Sequence, residues 1–238
     1  MMSVLKNLVL KHQFNPGFWG IFLNPFYIAR RDLHKHLSDL GKNITGKTLD
    51  VGCGTKPYKK LFSYTQYVGL EFDTGIDSEK KQADFYYDGK IFPFTENEFD
   101  SIVTNQVLEH VFTPDDFLTE INRVLKHGGK LLLTVPFVWD EHEQPYDYAR
   151  YSSFGLAALL EKHGFKIIEH RKSVNDYRVL GQLFNAYVYK ITRRNLFLKN
   201  LTLVFVMAPV TMLSILLSKL LPKNDDLYLD NIVLAEKK

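Results

Sequence analysis

The sequence predicts an α/β domain built on a parallel sheet with helices on both faces. Three observations carry this. Short, continuous apolar runs recur along the chain, among them KTLDVG, FDSIVTN and KLLLTVP, as expected of strands buried on both faces. A strongly patterned helix separates two of them, and strands alternating with helices argue for parallel pairing. The first run stops at Asp50 and breaks into Gly52-Cys53-Gly54, a strand running into a glycine turn.

The elements follow in order. Residues 1–41 form an aromatic extension, with Phe14, Phe18, Trp19, Phe22, Phe26 and Tyr27 ahead of Arg30, Arg31 and Lys35, and the Asn-Pro pairs predict one or two helices. The main domain then occupies residues 42–238. KTLDVG is its first strand and TQYVGLEFD its second, and Pro57 between them suits the first turn of a helix. FDSIVTN is a third strand. TPDDFLTEINRVLKHGG is a helix with Thr113 as N-cap, Pro114 in its first turn, and Asp115 and Asp116 at its positive end. Phe117, Leu118, Ile121, Val124 and Leu125 share one face, and Gly128 and Gly129 are expected to end the helix. KLLLTVP is the next strand. Ser152 or Ser153 caps a helix carrying Leu156, Leu159 and Leu160, Gly164 stops it, and the strands FKIIEH and LDNIVLAEK follow.

A helical, apolar insertion, residues 178–221, interrupts this rhythm. Residues 201–217 carry no charge, fall just short of the ~20 residues of a spanning helix, and contain Pro209. The run reads as a helix buried in the fold or in a homodimer interface. The alternative is membrane surface contact through 201–217, with Lys199, Lys219 and Lys223 at its flanks.

Composition narrows the function classes. With 45% hydrophobic and 24% charged residues, the 238-residue chain is globular rather than disordered. A net charge of +3 does not argue for a nucleic-acid partner. The lone Cys53 forbids an internal disulfide and fits a reducing compartment, so a cytoplasmic location is expected. The N-terminal VLKNLVLKH is broken by Lys6, Asn7 and Lys11 and does not read as a secretory signal.

Gly52 and Gly54 let main chain approach a ligand without a Cβ between. Glu71, ending the next strand, is placed to accept from two ribose hydroxyls. A nicotinamide dinucleotide would want a third glycine to bring its pyrophosphate to a helix N-terminus. Here Thr55-Lys56-Pro57 follows instead, and Asp50 precedes the turn, which suits a cationic ligand such as a sulfonium carrying an α-amino group.

LDVGCG, YVGLE, YYDGKIFPFTENEFDSIVTNQVLEHV and VLKHGGKLLLTVP together resemble the successive motifs of class I S-adenosylmethionine-dependent methyltransferases, in the order and spacing of the type 11 group. The resemblance covers roughly residues 48–165. It implies a Rossmann-like seven-stranded, mostly parallel sheet with an antiparallel last strand, and S-adenosyl-L-methionine as cofactor. It also implies that Asp50, Gly52, Cys53 and Gly54 line the methionine end and Glu71 holds the ribose. Asp88 would accept from the adenine amino group, with Asp84 as the nearby alternative, and Asn105 and Gln106 would pass the methionine part.

The acceptor is expected at PFVWDEHEQPYDYARYS, the segment after the strand KLLLTVP, where acids and aromatics mix densely. His142 is the candidate general base, with Glu141 or Glu143 to orient it or replace it. Arg150 suits an acidic group on the acceptor, and Tyr146 and Tyr151 suit stacking on a sugar or ring. A metal site built from His142 and the acids is not expected. Similar loops occur in family members associated with surface-glycan and natural-product methylation, and by that analogy the resemblance implies O-methylation of a glycan, lipid-linked or other small-molecule hydroxyl. An NAD-dependent oxidoreductase and a non-catalytic membrane-associated member stay open as alternatives.

Overall fold

The computed structural model describes residues 12–73 and 82–238. Of the N-terminal segment read for a signal, residues 4–12, all but His12 lies outside the described residues. The chain divides into two compact units. Among the described residues, one comprises those from His36 to Phe137, Glu141–Arg171 and Asn231–Lys238; the other comprises those up to Lys35, Val138–Asp140 and Lys172–Asp230.

The first of these holds the sheet. Its strands are β1 (Thr45–Val51), β2 (Ser63–Phe72), β3 (Phe85–Tyr87), β4 (Phe99–Asn105), β5 (Leu125–Pro136), β6 (Phe165–Lys172) and β7 (Asp230–Lys237). They lie in the order β3-β2-β1-β4-β5-β7-β6. β1 pairs in parallel with β2 and β4, β2 with β3, and β4 with β5, while β7 runs antiparallel to β5 and β6. The seven-stranded, mostly parallel sheet expected from the sequence is therefore present. Leu49, Val51, Ile102, Leu131, Leu133 and Val233 from the strands are buried against Leu118, Ile121, Leu156 and Leu160 from the flanking helices.

Those helices are α3 (Pro114–Val124) and α4 (Ser153–Lys162). The Ser152 hydroxyl caps α4 by accepting from the Gly155 N–H. Thr113 is the N-cap of α3 but makes no side-chain capping bond. α3 also ends earlier than the paired glycines suggest. Leu125 is already extended and lies opposite Phe99, and the β4–β5 register shifts before resuming at Ser101 and Lys130. Two partners favour the earlier stop. Leu125 is fully buried as the first residue of β5, and the Lys237 ammonium donates to the carbonyls of Asn122 and Leu125 at 2.7 and 2.8 Å. Pro57 opens no α-helix. Between β1 and β2 the chain makes only a 3₁₀ turn, Lys59–Leu61, and Lys56 before Pro57 takes a positive φ that no helix can use.

The second unit is helical. It contains α1 (Gly20–Leu23), most of α2 (Tyr27–Leu40), α5 (Arg178–Thr192), α6 (Leu196–Thr202), a π-helical turn (Leu203–Met207) and α7 (Ala208–Leu217). Ile21, Tyr27 and Ile28 from the N-terminal segment share a core with Val179 and Ala208 from the insertion. Gly181 lets α5 and α7 approach so closely that a Cβ there would sit 1.9 Å from Ser214 Oγ. The π turn has a visible cause. Pro209 has no N–H for the preceding turn, and buried Asn185 donates to the Met207 carbonyl and to Thr211 Oγ1.

The apolar run is not buried within the fold, the first of the two coverings expected of it. The helix spans Leu196–Leu217, 22 residues with mean hydropathy 2.1, long and apolar enough to cross a membrane by length and composition, and only 22% of its apolar window is buried. Phe197 is 76% and Phe205 72% exposed. Only one narrow face of the run, with Leu203, Met207, Ala208, Thr211 and Ser214, meets the rest of its unit.

Candidate functional site

In the strand order above, the direction of winding reverses between β1 and β4, and their carboxyl ends form the crevice where open parallel sheets bind ligands. β1 ends in the glycine turn. The N–H groups of Gly52 and Cys53 both donate to the Leu70 carbonyl, at 2.9 and 3.2 Å, which ties the turn to β2. Gly52 has φ +72°, and a Cβ there would lie 2.3 Å from Val107 Cγ2. Gly54 has φ +49°, and a Cβ there would meet nothing within 4 Å, so the turn's outer side is open.

The crevice is lined by acceptors. Asp50 is buried beneath the turn and accepts from the Tyr67 hydroxyl at 2.7 Å. Burial pushes its carboxyl up to about 7, against the Tyr67 bond and the Lys56 ammonium, which pull it down. Glu71 reaches across from the end of β2, and its Oε2 accepts from the Gly54 N–H at 2.9 Å. At the end of β4 the Asn105 Oδ1 is buried with no hydrogen-bond partner among the described residues. Gln106, at φ +56°, is pinned to β5 by bonds from its main-chain N–H and its side-chain amide to Thr134. A buried carboxylate, an unpartnered amide oxygen and a second carboxylate on the turn's own N–H fit an ammonium group and a ribose diol. They do not fit a pyrophosphate, which needs donors there.

Asp88 is exposed in a turn, where it accepts from the Lys90 N–H. Asp84 instead holds the Gly69 N–H at 2.7 Å and the Lys56 ammonium at 2.6 Å. Burial pushes the Cys53 thiol up to about 12, so it is no nucleophile at neutral pH.

The loop after β5 is organised by a residue to which the sequence reading gave no role. The Asp147 carboxylate accepts from the His142 N–H at 2.9 Å, lies 3.3 Å from His142 Nδ1, and takes both terminal nitrogens of Arg150, at 2.6 and 2.7 Å. That bidentate pair holds the Asp147 carboxyl well below the usual carboxylate range. The acid on His142 is thus Asp147. Glu141 and Glu143 are both exposed, and Glu141 accepts from the Gln144 amide. Tyr146 is exposed, whereas Tyr151 packs against the main core.

Sequence reasoning also missed Glu109 and His110. The His110 ring meets His142 edge-on with centroids 4.7 Å apart, its Nδ1 lies 2.5 Å from the Tyr146 carbonyl, and its Nε2 lies 3.8 Å from Glu109 Oε1. The available signal was position: VLEHV follows β4 directly, so it emerges at the same sheet edge as the loop after β5.

Comparison with known proteins bears on the family and the fold. Residues 49–133 match the family model of a methyltransferase domain. Demethylmenaquinone methyltransferase of Staphylococcus haemolyticus is 31% identical over 114 residues, which is 41% of this chain and 47% of that protein. Among solved structures, the cyclase SpnF superposes with a TM-score of 0.57 at 20% identity, over 88% of this chain and 82% of that one. Phosphoethanolamine N-methyltransferase 2 of Haemonchus contortus, in complex with S-adenosyl-L-methionine, superposes with a TM-score of 0.55 at 21% identity, over 92% of this chain and 56% of that one. At those identities the two structures establish the fold alone.

Proposed function

Since the chain is a class I S-adenosylmethionine-dependent methyltransferase of the type 11 group, we propose that it methylates a hydroxyl of a lipid-linked or surface-glycan acceptor at the cytoplasmic face of a membrane. The observation that carries this reading is the exposed apolar face of Leu196–Leu217. Arg193, Arg194, Lys219 and Lys223 flank it, which is the pattern of a helix seated in an anionic lipid surface. An enzyme resting there meets lipid-linked acceptors by diffusion in two dimensions.

In this reading Asp50 and Asn105 take the α-amino group of the cofactor, Glu71 takes its ribose hydroxyls, and Gly52, Cys53, Gly54 and Gln106 line its methionine part. Asp88 takes the adenine amino group. The bound cofactor supplies an electrophilic methyl group on a sulfonium. The acceptor oxygen attacks that methyl; the C–O bond forms as the S–C bond breaks, and the electron pair stays on sulfur as a neutral thioether. The chain's work is alignment and proton removal. Asp147 favours the His142 tautomer with its proton on Nδ1, which leaves Nε2 to receive the acceptor's proton. Tyr146 stacks on the acceptor, as does the exposed part of Tyr151. Arg150 fixes Asp147 and, through it, the base.

Two measurements test the reading. Radiolabelled methyl transfer into cell-envelope extracts should enter the fraction extracted by organic solvent, and label confined to the aqueous fraction contradicts a lipid-linked acceptor. His142→Ala should lower turnover at least ~100-fold with cofactor affinity nearly unchanged. Unchanged turnover removes His142 from the chemistry.

A further inference from the structure

Glu109, His110 and His142 each present one potential ligand atom, and these atoms lie within 4.8 Å of one another. We propose that they bind a divalent transition-metal ion, of the zinc or iron(II) type, beside the cofactor crevice. Two imidazole nitrogens and one carboxylate form a donor set that such ions take. Three protein ligands leave a coordination position open, as in catalytic rather than structural sites.

Three features separate this cluster from a chance meeting of side chains. Both imidazoles carry an oxygen on Nδ1, the Asp147 carboxylate for His142 and the Tyr146 carbonyl for His110. That is the outer partnership which fixes the tautomer of metal-binding histidines and directs Nε2 at the ion. Glu109 is fully buried, so its carboxylate is held beside the two imidazoles by the fold itself. Its main chain is held as well, because the Glu109 carbonyl accepts from the N–H groups of Tyr148 and Ala149 at 2.8 and 3.2 Å. These bonds clamp the segment carrying Glu109 and His110 onto the loop carrying His142.

The spacing also suits an ion. Tetrahedral coordination with bonds of ~2.1 Å sets ligand atoms about 3.4 Å apart. His110 Nε2 and Glu109 Oε1 are already 3.8 Å apart, so small side-chain rotations close the set. Position suits it too. Val107, just before Leu108-Glu109-His110, is the residue that a Cβ on Gly52 would strike, so the cluster's backbone begins on the cofactor turn itself.

The role of the ion rests on the acceptor reading above. With an ion in place His142 Nε2 is a ligand and gives up the base role assigned to it above; the ion would instead lower the pKa of the acceptor hydroxyl so that its proton leaves to solvent, and His142 acts as base only in the ion-free chain. Ion binding itself needs no acceptor, so it is tested separately.

The test uses the full chain after chelator treatment. Cobalt(II) is titrated in and followed by its visible absorption, then displaced by zinc. The proposal expects one ion per chain with a dissociation constant on the order of 1 μM or tighter. His110→Ala, His142→Ala and Glu109→Gln should each weaken binding at least ~100-fold, and Asp147→Asn, which removes only an outer partner, about 10-fold. His127→Ala, an exposed histidine elsewhere in the unit, should leave it unchanged. Unaltered thermal melts and S-adenosylhomocysteine affinity show that each variant is folded, and the isosteric Glu109→Gln guards against collapse at the buried site. Absence of one-to-one binding overturns the proposal, as does binding that survives all three ligand substitutions. Ion binding lost in those three variants upholds it even where no lipid-linked acceptor is methylated, an outcome that would count only against the proposed acceptor.

Discussion

Replacing Gly52 with alanine tests how tightly the glycine turn is built. An L-residue at φ +72° carries backbone strain of about 1–2 kcal/mol. The added Cβ would sit 2.3 Å from Val107 Cγ2, well inside contact distance, and overpacking of that kind costs about 1–3 kcal/mol. Together these give roughly 2–5 kcal/mol. Paid entirely in fold stability, that lowers the melting temperature by about 4–20 °C for a chain of this size. Relieved instead by moving the turn, it appears as weaker cofactor binding, about tenfold for each 1.4 kcal/mol. The assays are a thermal melt and calorimetric titration with S-adenosylhomocysteine. Gly52→Ala combined with Val107→Ala should recover the steric part and leave the strain. A Gly52→Ala variant that melts and binds like the parent would refute the close approach and the role given to the turn.

Other expectations follow from the same geometry. Asp50 has its folded pKa raised from 3.8 to about 7, so its contribution to stability is full below the unfolded pKa and is lost as pH rises through about 7. Asp50→Asn should therefore flatten the fall in ligand-free stability across that window, as read by melts at several pH values, and should weaken S-adenosylhomocysteine binding. In the parent protein the ligand's ammonium draws a proton off Asp50, so affinity should rise from about pH 6 to about pH 8 with proton release, and calorimetric heats at pH 6.5 that do not depend on the buffer would contradict this. Phe197→Glu with Phe205→Glu should weaken sedimentation with anionic vesicles at least ~100-fold, since two exposed phenyl groups lose their burial in lipid. Lys237→Met should destabilise the fold by about 2–4 kcal/mol in urea titration, because the carbonyls of Asn122 and Leu125 lose their charged donor.

The sheet was legible because its strands are short, apolar and bounded by glycine, and because a strand buried on both faces leaves an unbroken run such as KLLLTVP. The place of the glycine turn at the end of β1 and of Glu71 at the end of the next strand was legible from the strand context and the motif order together. What escaped depended on partners remote in the chain. The early end of α3 reflects Lys237, which arrives from the last strand, and no local pattern near Gly128 announces it. The exposed apolar helix could not be read from hydropathy, because a helix buried in the fold and one with its apolar face exposed share a composition and only packing separates them. In the acceptor loop the acids nearest His142 in sequence, Glu141 and Glu143, drew the orienting role, whereas the chain reversal brings Asp147 onto the ring. Glu109 and His110 escaped for the same reason: they reach His142 only because β4 and β5 are neighbours whose ends open at one edge.

The central claim is that S-adenosylmethionine lies across the carboxyl ends of β1 and β4 with its ribose on Glu71. Calorimetric titration of the full chain with S-adenosylhomocysteine tests it directly, set beside the same titration of Glu71→Ala. The account predicts one saturable site in the parent and a loss of about 1.5–3 kcal/mol for each hydrogen bond removed from the carboxylate, at least tenfold in affinity. No binding in the parent, or equal binding in the variant, would contradict it.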